Sequence, residues 1–270
     1  MSIKRDCLEL FYHYKAKTSN KRGISRVKRK TPIIVSLTSW QKRYQKLYLT
    51  LETLLNQTLQ PDHILVWLPE SDIFKDHYSQ SDRGIEFRYC KDIGPFTKII
   101  YTLQEFSEAI IVTCDDDIIY KRKWLEELYT TYINNPDYII CHRAHLMQTD
   151  KTGTLLSYND WIHESKGICR PSLRLFPTGV GGVLYPPGSL HEDVLDIDLF
   201  KKLCPKADDV WLKAMSLLKQ TMCLKVRPCS KKLVIMKETQ DYGLINDNMT
   251  QNDIQIKQVF DHYKLNDIFV

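Results

Sequence analysis

Three consecutive aspartates, Asp115, Asp116 and Asp117, directly follow the most apolar strand-like run of the chain, residues 109–114. Such a run predicts a buried strand, and its polar exit puts the carboxylates at the C-terminal edge of a sheet, where open α/β folds bind ligands. Because alternate residues of an extended segment point to the same side, Asp115 and Asp117 can converge on one cation. Carboxylate oxygens suit Mg²⁺ or Mn²⁺, which keep positions open for substrate phosphates. The alternative is a solvated acidic turn, and we favour the metal site because such turns rarely follow so apolar a strand.

The spacing of apolar residues predicts the fold class. Strands are expected at residues 33–37, 63–68, 85–89 and 109–114, and helices at residues 41–56, 96–106 and 124–133. Strands that alternate with helices in this way indicate an α/β fold with a mostly parallel sheet flanked by helices on both faces.

The second half of the chain has a less regular pattern. It predicts short strands at 138–141, 222–226 and 232–236, loops over 157–176, and helices at 208–218 and about 251–263. This pattern indicates a smaller mixed region beside the main sheet. We therefore expect a basic N-terminal segment (1–30) and one domain (31–270), whose halves are 31–135 and 136–270.

Composition narrows the class of protein. The chain has 270 residues, 43% of them hydrophobic and 26% charged, which is ordinary for a globular domain. No run approaches the roughly 20 apolar residues that span a bilayer, and the N-terminus lacks the apolar core of a secretory signal. The eight cysteines are scattered without a CxxC pair, so we expect reduced, buried thiols and a cytoplasmic location.

The first 30 residues carry most of the positive charge. They hold ten Lys or Arg and two acidic residues, a net charge of +8, whereas the remaining 240 residues sum to −3. Apolar and aromatic residues lie among these cations, so the segment could lie on an anionic membrane surface. An equal alternative is a basic helix packed on the domain or a frayed leader. Nucleic acid is a less suitable partner, because the body is mildly acidic and shows no recognition module.

Two segments near the predicted sheet edge carry candidate ligand-binding residues. Thr38, Ser39 and Arg43 follow the first strand, where hydroxyl groups can bind a base or ribose and the guanidinium can offset phosphate charge. Taken alone, this segment is better read as a helix N-cap. Lys98 lies in the first turn of the helix after Gly94-Pro95, against the usual dipole preference, which suggests an anionic partner, although a solvated lysine fits equally.

Further candidates lie in the second half. Gly181 and Gly182 belong to a glycine-rich segment that would let a sugar ring approach the backbone closely, and Trp161 could stack on a sugar, although core packing is the favoured role for Trp161. Asp208 and Asp209 open a predicted helix, where they are either capping residues or a general base directed into the cleft.

The combination of four motifs resembles bacterial GT-A-fold glycosyltransferases of capsule and lipopolysaccharide gene clusters. The motifs are IIVSLTS at 33–39, DDD at 115–117, FPTGVGG at 176–182 and ADDVWL at 207–212. The resemblance covers about residues 31–260. It implies a nucleotide-sugar donor, most often a UDP-sugar, a saccharide or lipid-linked saccharide acceptor, and a divalent cation (Mn²⁺ or Mg²⁺) held through a DxD motif.

The resemblance also implies roles for individual residues. Asp115 would contact the ribose or sugar and share the cation, Asp117 would be the principal metal ligand, and Asp209, beside Asp208, would be the base of an inverting transfer. The run here is DDD, so the share taken by Asp116 stays open. The family often adds a C-terminal histidine ligand, but for His262 a surface role is favoured, because it lies in a predicted amphipathic helix.

Three other interpretations stay open. A retaining glycosyltransferase would share the aspartate motif and need no base at position 209. A non-catalytic protein of the same fold would use the basic segment as its partner contact. A haloacid-dehalogenase-like phosphatase fits poorly, because small or hydroxyl residues should follow its aspartates and residues 118–119 are isoleucines.

Overall fold

The computed structural model describes residues 2–72, 81–227, 233–236 and 245–266. The strands are β1 (Ile33–Thr38), β2 (His63–Pro69), β3 (Ile85–Cys90), β4 (Ile110–Thr113), β5 (Ile139–Cys141), β6 (Ala144–Leu146), β7 (Leu175–Pro177), β8 (Val183–Tyr185) and β9 (Cys223–Lys225). The α-helices are α1 (Ser2–Thr18), α2 (Tyr44–Leu55), α3 (Thr97–Glu105), α4 (Trp124–Ile133), α5 (Ile197–Leu203), α6 (Asp208–Leu218) and α7 (Ile245–Tyr263).

Seven of the described strands form one sheet in the order β3-β2-β1-β4-β8-β5-β9. Neighbouring strands are parallel except at β8, which runs antiparallel to both β4 and β5. Strands β6 and β7 form a separate antiparallel pair. The predicted α/β fold with a mostly parallel sheet and a smaller mixed region is confirmed.

The central strands are buried on both faces, as their continuous apolar sequences require. On β1, Ile33 and Val35 pack with residues of α2 and α4, whereas Ile34 between them packs with β2 residues on the other face. On β4, Ile110 and Ile111 likewise point to opposite faces of the sheet. Ile110 packs in the same cluster as Ile33 and Val35, and Ile111 packs in the cluster that contains residues of α3 and α6. Because successive side chains of a strand point to opposite faces, these apolar strands are covered by helices on both sides of the sheet.

Several elements differ from the sequence-based expectation. The described chain contains β6, β7, β8 and α5, which the apolar pattern did not specify. The three strands have three residues each and α5 has seven, so their sequences show little periodicity. Of the predicted strand 232–236, residue 232 lies outside the described residues, and the rest contributes a single bridge between Ile235 and Ile118. The predicted terminal helix begins earlier, at Ile245.

The cysteines correct one prediction. Six of them are free, and all but Cys7 are buried, as expected. Cys169 is disulfide-bonded, and Cys229 lies outside the described residues. The spacing of cysteines along the chain carries no information on such a pair, because only the tertiary fold decides which sulfur atoms meet. Among the described residues, no helix combines the length and the apolar character needed to span a bilayer.

The two central glycines of the glycine-rich segment are required by packing. At Gly181 an added Cβ would lie 2.8 Å from the Arg143 Cβ. Gly182 has a φ of +89°, and a Cβ there would lie 2.4 Å from Cζ2 of the Trp124 indole. The indole N–H also donates a hydrogen bond to the Gly181 carbonyl (2.8 Å). The segment is therefore held directly against α4.

His145 on β6 is a buried, neutral acceptor. Its side chain is 2% exposed, and Nδ1 accepts a hydrogen bond from the backbone N–H of Glu164 (2.9 Å). Burial, together with the positive charge of Arg143 and the neighbouring His163, lowers the pKa of His145 to about 3. Folding therefore requires the uncharged imidazole.

We expect Gly182→Ala to destabilise the protein by about 3 kcal/mol, because it adds a clash with Trp124 to the cost of a positive φ. Gly188→Ala is the matched control. Its φ is +69° but nothing lies within 4 Å of the added Cβ, so about 1 kcal/mol is expected. Urea unfolding of both variants measures the difference. Equal losses would show that Trp124 does not confine Gly182.

We expect the free energy of unfolding of His145→Gln to depend less steeply on pH than that of the wild type under acidic conditions. A group whose pKa is depressed in the folded state destabilises that state as pH falls from about 6.5 towards about 3, because the unfolded chain takes up the proton first. The wild-type free energy of unfolding should fall faster than that of the variant, by up to about 1.4 kcal/mol per pH unit. Urea titrations between these pH values test this expectation.

The exposed His262 on α7 supplies the control. His262→Gln should follow the wild-type curve. Parallel curves for wild type and His145→Gln would contradict the buried neutral histidine.

Candidate functional site

The ends of β1 and β4 bring the first polar groups together. The two strands are parallel neighbours with Ser36 opposite Thr113, so both leave the sheet at the same edge. Just beyond β1, the buried Ser39 hydroxyl donates a hydrogen bond to Oδ2 of Asp116 (2.5 Å). Thr38 lies at the end of β1 and bonds the Trp67 carbonyl (3.0 Å). The predicted convergence of the two strand exits is therefore present.

Arg43 holds two of the three consecutive aspartates. Its Nη1 lies 2.5 Å from Oδ1 of Asp116 and 3.2 Å from Oδ2 of Asp117. Both carboxylate oxygens of Asp116 are thus engaged, one by Arg43 and one by Ser39. Asp116 is therefore held by side chains that follow β1.

Lys98 connects the first aspartate to the second half of the chain. Its ammonium group lies 2.7 Å from Oδ1 of Asp115 and 3.3 Å from Oδ2 of Asp208. The side chain is buried, and burial alone would lower the pKa of Lys98. The carboxylates of Asp115, Asp208 and Asp209 instead raise this pKa well above its ordinary value. The lysine is therefore a fixed positive charge at the centre of a carboxylate cluster, not a solvated side chain.

Asp209 faces the same centre from the start of α6. Its Oδ1 accepts a hydrogen bond from the backbone N–H of Gly179 (3.0 Å). A Cβ at Gly179 would lie 3.2 Å from Lys98 Nζ, 3.4 Å from Asp209 Oδ1 and 3.7 Å from Asp115 Oδ1. Gly179 thus lets the backbone approach a lysine and two carboxylates, which a side chain at this position would crowd. We call the side chains of Lys98, Asp115, Asp208 and Asp209 the lysine cluster.

The site carries more negative than positive charge. Five aspartates (115–117, 208 and 209) surround Lys98 and Arg43, which leaves three negative charges if every carboxyl is ionised. Burial raises the pKa of Asp117 to about 7, despite the opposing effect of Arg43. Burial and the charge of Asp208 raise the pKa of Asp209 well above its ordinary value. The two cations do not fully compensate the carboxylates.

The chemistry of this donor set suits a divalent cation, although among the described residues no three of these aspartates bring carboxylate oxygens within 4.8 Å of one another. Carboxylate oxygens are the ligands that Mg²⁺ and Mn²⁺ prefer. Oδ2 of Asp208 is buried, and the Lys98 ammonium lies 3.3 Å from it. However, Asp115 contacts Lys98 whereas Asp117 contacts Arg43, so a cation bound by both aspartates would share them with these side chains.

A second group of metal-ligand types lies at the surface. Among the described residues, only His191, Glu192 and Asp193 place three such ligand atoms within 4.8 Å of one another. Asp193 already accepts a hydrogen bond from the Tyr263 hydroxyl (2.8 Å). Exposed acidic groups often cluster without an ion, so this group serves below as a control for the candidate site.

Trp161 lies in the apolar core. Its side chain is 4% exposed, its indole N–H donates to the Leu156 carbonyl (2.9 Å), and its ring packs edge-on against Phe176. This placement agrees with the core role favoured from the sequence and leaves little ring surface for a sugar. Gly181 and Gly182 likewise have packing partners in Arg143 and Trp124.

Sequence reasoning missed Tyr120. Its hydroxyl accepts a hydrogen bond from the Asp115 N–H (2.9 Å) and lies 3.4 Å from the Val180 carbonyl, to which it donates. The buried phenol therefore links the aspartates to the glycine-rich segment. The apolar run after the aspartates placed Tyr120 near them, but nothing in that run indicates where the hydroxyl points.

No protein-family model matches the chain, and no curated protein matches its sequence. Solved structures similar to it include the following two. A 4-diphosphocytidyl-2C-methyl-D-erythritol synthase shares 12% identity over 80% of this chain and 97% of its own, with a TM-score of 0.46. A CMP:2-keto-3-deoxy-manno-octonic acid synthetase in complex with CTP shares 10% identity over 72% and 89%, with a TM-score of 0.42. Likeness at this level does not identify a substrate for this chain.

Proposed function

We propose that the protein is a metal-dependent glycosyltransferase that moves a sugar from a nucleotide-sugar, with a UDP-sugar as the expected donor, to a saccharide acceptor of surface polysaccharide synthesis. The observation that carries this proposal is the lysine cluster around Gly179, at the edge where β1 and β4 end. Its three aspartates come from two of the motifs by which the sequence resembles GT-A-fold enzymes, and Gly179 comes from a third. The excess of carboxylates supports a cationic cofactor.

Asp115 and Asp117 are the side chains that would hold Mn²⁺ or Mg²⁺. The ion would supply positive charge facing the donor diphosphate, where negative charge develops as the glycosidic bond breaks. Arg43 orients Asp117 and neutralises part of its charge. Asp116 fixes Arg43 and Ser39 relative to the strand exit, so it supports the other residues without needing a substrate contact.

Asp209 is the proposed general base. The Gly179 N–H holds one of its oxygens (3.0 Å), which fixes the orientation of the carboxylate. Burial and the charge of Asp208 raise the pKa of Asp209, which makes the ionised carboxylate a stronger proton acceptor for an acceptor hydroxyl. Attack by that hydroxyl on the face opposite the leaving diphosphate would invert the anomeric centre. Lys98 limits the repulsion between Asp209 and the other carboxylates of the lysine cluster.

The donor site is tested by thermal denaturation with UDP, GDP, CMP, dTDP or CTP, each with and without Mn²⁺. We expect one nucleoside diphosphate to raise the Tm only when Mn²⁺ is present. At 100 times Kd the stabilisation is about 2.7 kcal/mol, or roughly 5–10 °C for a domain of this size. Asp117→Asn should abolish the shift, because it removes the principal metal ligand.

Asp193→Asn is the matched control for this screen, because it alters the surface group of His191, Glu192 and Asp193 instead. This variant should keep the wild-type shift. Loss of the Tm shift in Asp193→Asn but not in Asp117→Asn would show that the metal binds at the surface group. Stabilisation by CTP without a response to any diphosphate would contradict glycosyl transfer.

The role of Asp209 is tested by Asp209→Asn. We expect kcat for sugar transfer to fall by about 10²–10⁴, while the nucleotide-dependent Tm shift is retained. The wild-type rate should fall as pH drops through the pKa of Asp209, because only the ionised carboxylate accepts a proton, and the variant should lack this limb.

Asp198→Asn provides the control, since Asp198 has the same position in the first turn of α5 but is exposed. It should leave kcat unchanged. An active Asp209→Asn enzyme whose product retains the anomeric configuration of the donor would instead identify a retaining transferase.

A further inference from the structure

One side of α1 packs on the domain. Tyr12 is 8% exposed and joins a cluster with Leu49 of α2 and Ile119, against which Leu8 also packs. The neighbouring His13 forms a hydrogen bond with the Tyr48 hydroxyl (2.8 Å). The predicted basic helix packed on the domain is therefore present, and its buried side is defined by Leu8 and Tyr12.

The opposite side of α1 carries apolar side chains that face solvent. Ile3 is 81% exposed, Leu10 69%, Phe11 50% and Tyr14 65%. With about 100° between successive helical residues, these four positions fall within an arc of about 100° whose centre lies opposite Tyr12. The exposed Cys7 lies within the same arc. We call this arc the apolar face of α1. Several large apolar side chains on one exposed helix face are unusual for a surface that contacts only water.

Cations border the apolar face. By the same helical geometry, Lys4 and Lys15 lie along one edge and Lys17 along the other. The Lys15 ammonium lies 5.7 Å from the centre of the Phe11 ring. An apolar stripe edged by lysines is the pattern of helices that lie in the plane of a membrane interface.

The segment after α1 adds further positive charge and is anchored to the domain by backbone hydrogen bonds. Backbone hydrogen bonds join Gly23 to the Arg83 carbonyl (2.9 Å) and Ser25 to the Pro61 carbonyl (2.7 Å). Between these anchors and β1, exposed cations accompany Val27, which is 73% exposed. The net charge of residues 1–30 is +8, whereas that of the rest is −3, so the positive charge is concentrated in the segment that contains the apolar face.

We propose that the apolar face of α1, with the cations of residues 1–30, binds the surface of a membrane that contains anionic phospholipids. Ile3, Leu10, Phe11 and Tyr14 enter the boundary between headgroups and acyl chains, and the flanking lysines contact lipid phosphates. The packed side of α1 stays on the domain, so binding requires no unfolding. This inference is independent of the proposed reaction.

Vesicle flotation of the full-length protein tests the proposal. We expect the partition coefficient for phosphatidylcholine vesicles with about 30% phosphatidylglycerol to exceed that for pure phosphatidylcholine by at least about tenfold, and to fall in ~0.5 M NaCl. The double variant Leu10→Ser/Phe11→Ser should reduce partition at least about tenfold, because two buried apolar side chains are lost. Lys4→Glu/Lys15→Glu should weaken binding only to the anionic vesicles.

Ile133→Ser/Ile254→Ser is the matched control. It replaces two side chains that are 57% and 60% exposed, on α4 and α7, and should bind like the wild type. Equal binding to neutral and anionic vesicles, or an equal loss in this control, would overturn the proposal.

Sedimentation of the lipid-free protein tests the alternative that a second copy of the chain covers the apolar face of α1. A wild-type dimer that Leu10→Ser/Phe11→Ser converts to a monomer would show that a second copy covers the apolar face.

Discussion

The candidate site depends on one electrostatic constraint: carboxylates buried at the end of a sheet must be compensated by cations that the same fold places there. Lys98 is the central element, because it lies between Asp115 from the first half of the chain and Asp208 from the second. Removing one partner from such a buried group leaves an uncompensated charge, which is costly. Arg43 has the same relation to Asp116 and Asp117. The positions of α2, α3 and α6 relative to the sheet are therefore coupled through these two cations.

Incomplete compensation links proton binding, folding and cation binding. The folded-state pKa values of Asp117 and Asp209 are raised, chiefly by burial. Carboxyls of this kind contribute stability below their unfolded pKa, and that contribution is lost as pH rises through the folded value, near 7 for Asp117. A bound cation would stabilise the ionised forms and release their protons. The protein thus gives up some stability near neutral pH by keeping these carboxylates together.

Sequence patterns predicted the parts of the fold and site that depend on long apolar runs. The strand before the aspartates, the helix that begins at Asp208 and the shared edge of β1 and β4 follow from periodicity and parallel pairing. The partners of individual side chains did not follow, because they depend on contacts between residues distant in sequence. Asp116 pairs with Arg43, 73 positions away, and the hydroxyl of Tyr120 reaches Val180, 60 positions away. Strands β6, β7 and β8 were missed because they are too short to show a period, and the disulfide of Cys169 because only the fold brings its sulfur to a partner.

The antiparallel strand β8 also has a consequence for the chain as it is being synthesised. β4 pairs with β1 on one side, but its other neighbour, β8, begins about 70 residues later. At about 5–20 residues per second, the ribosome needs several seconds to add that segment. During this interval the edge of Ile110–Thr113 has no partner from its own chain, and apolar strand edges of this kind can pair with other molecules. The same connection that brings Gly179 to the aspartates therefore leaves the nascent sheet open while the rest of the site is still being made.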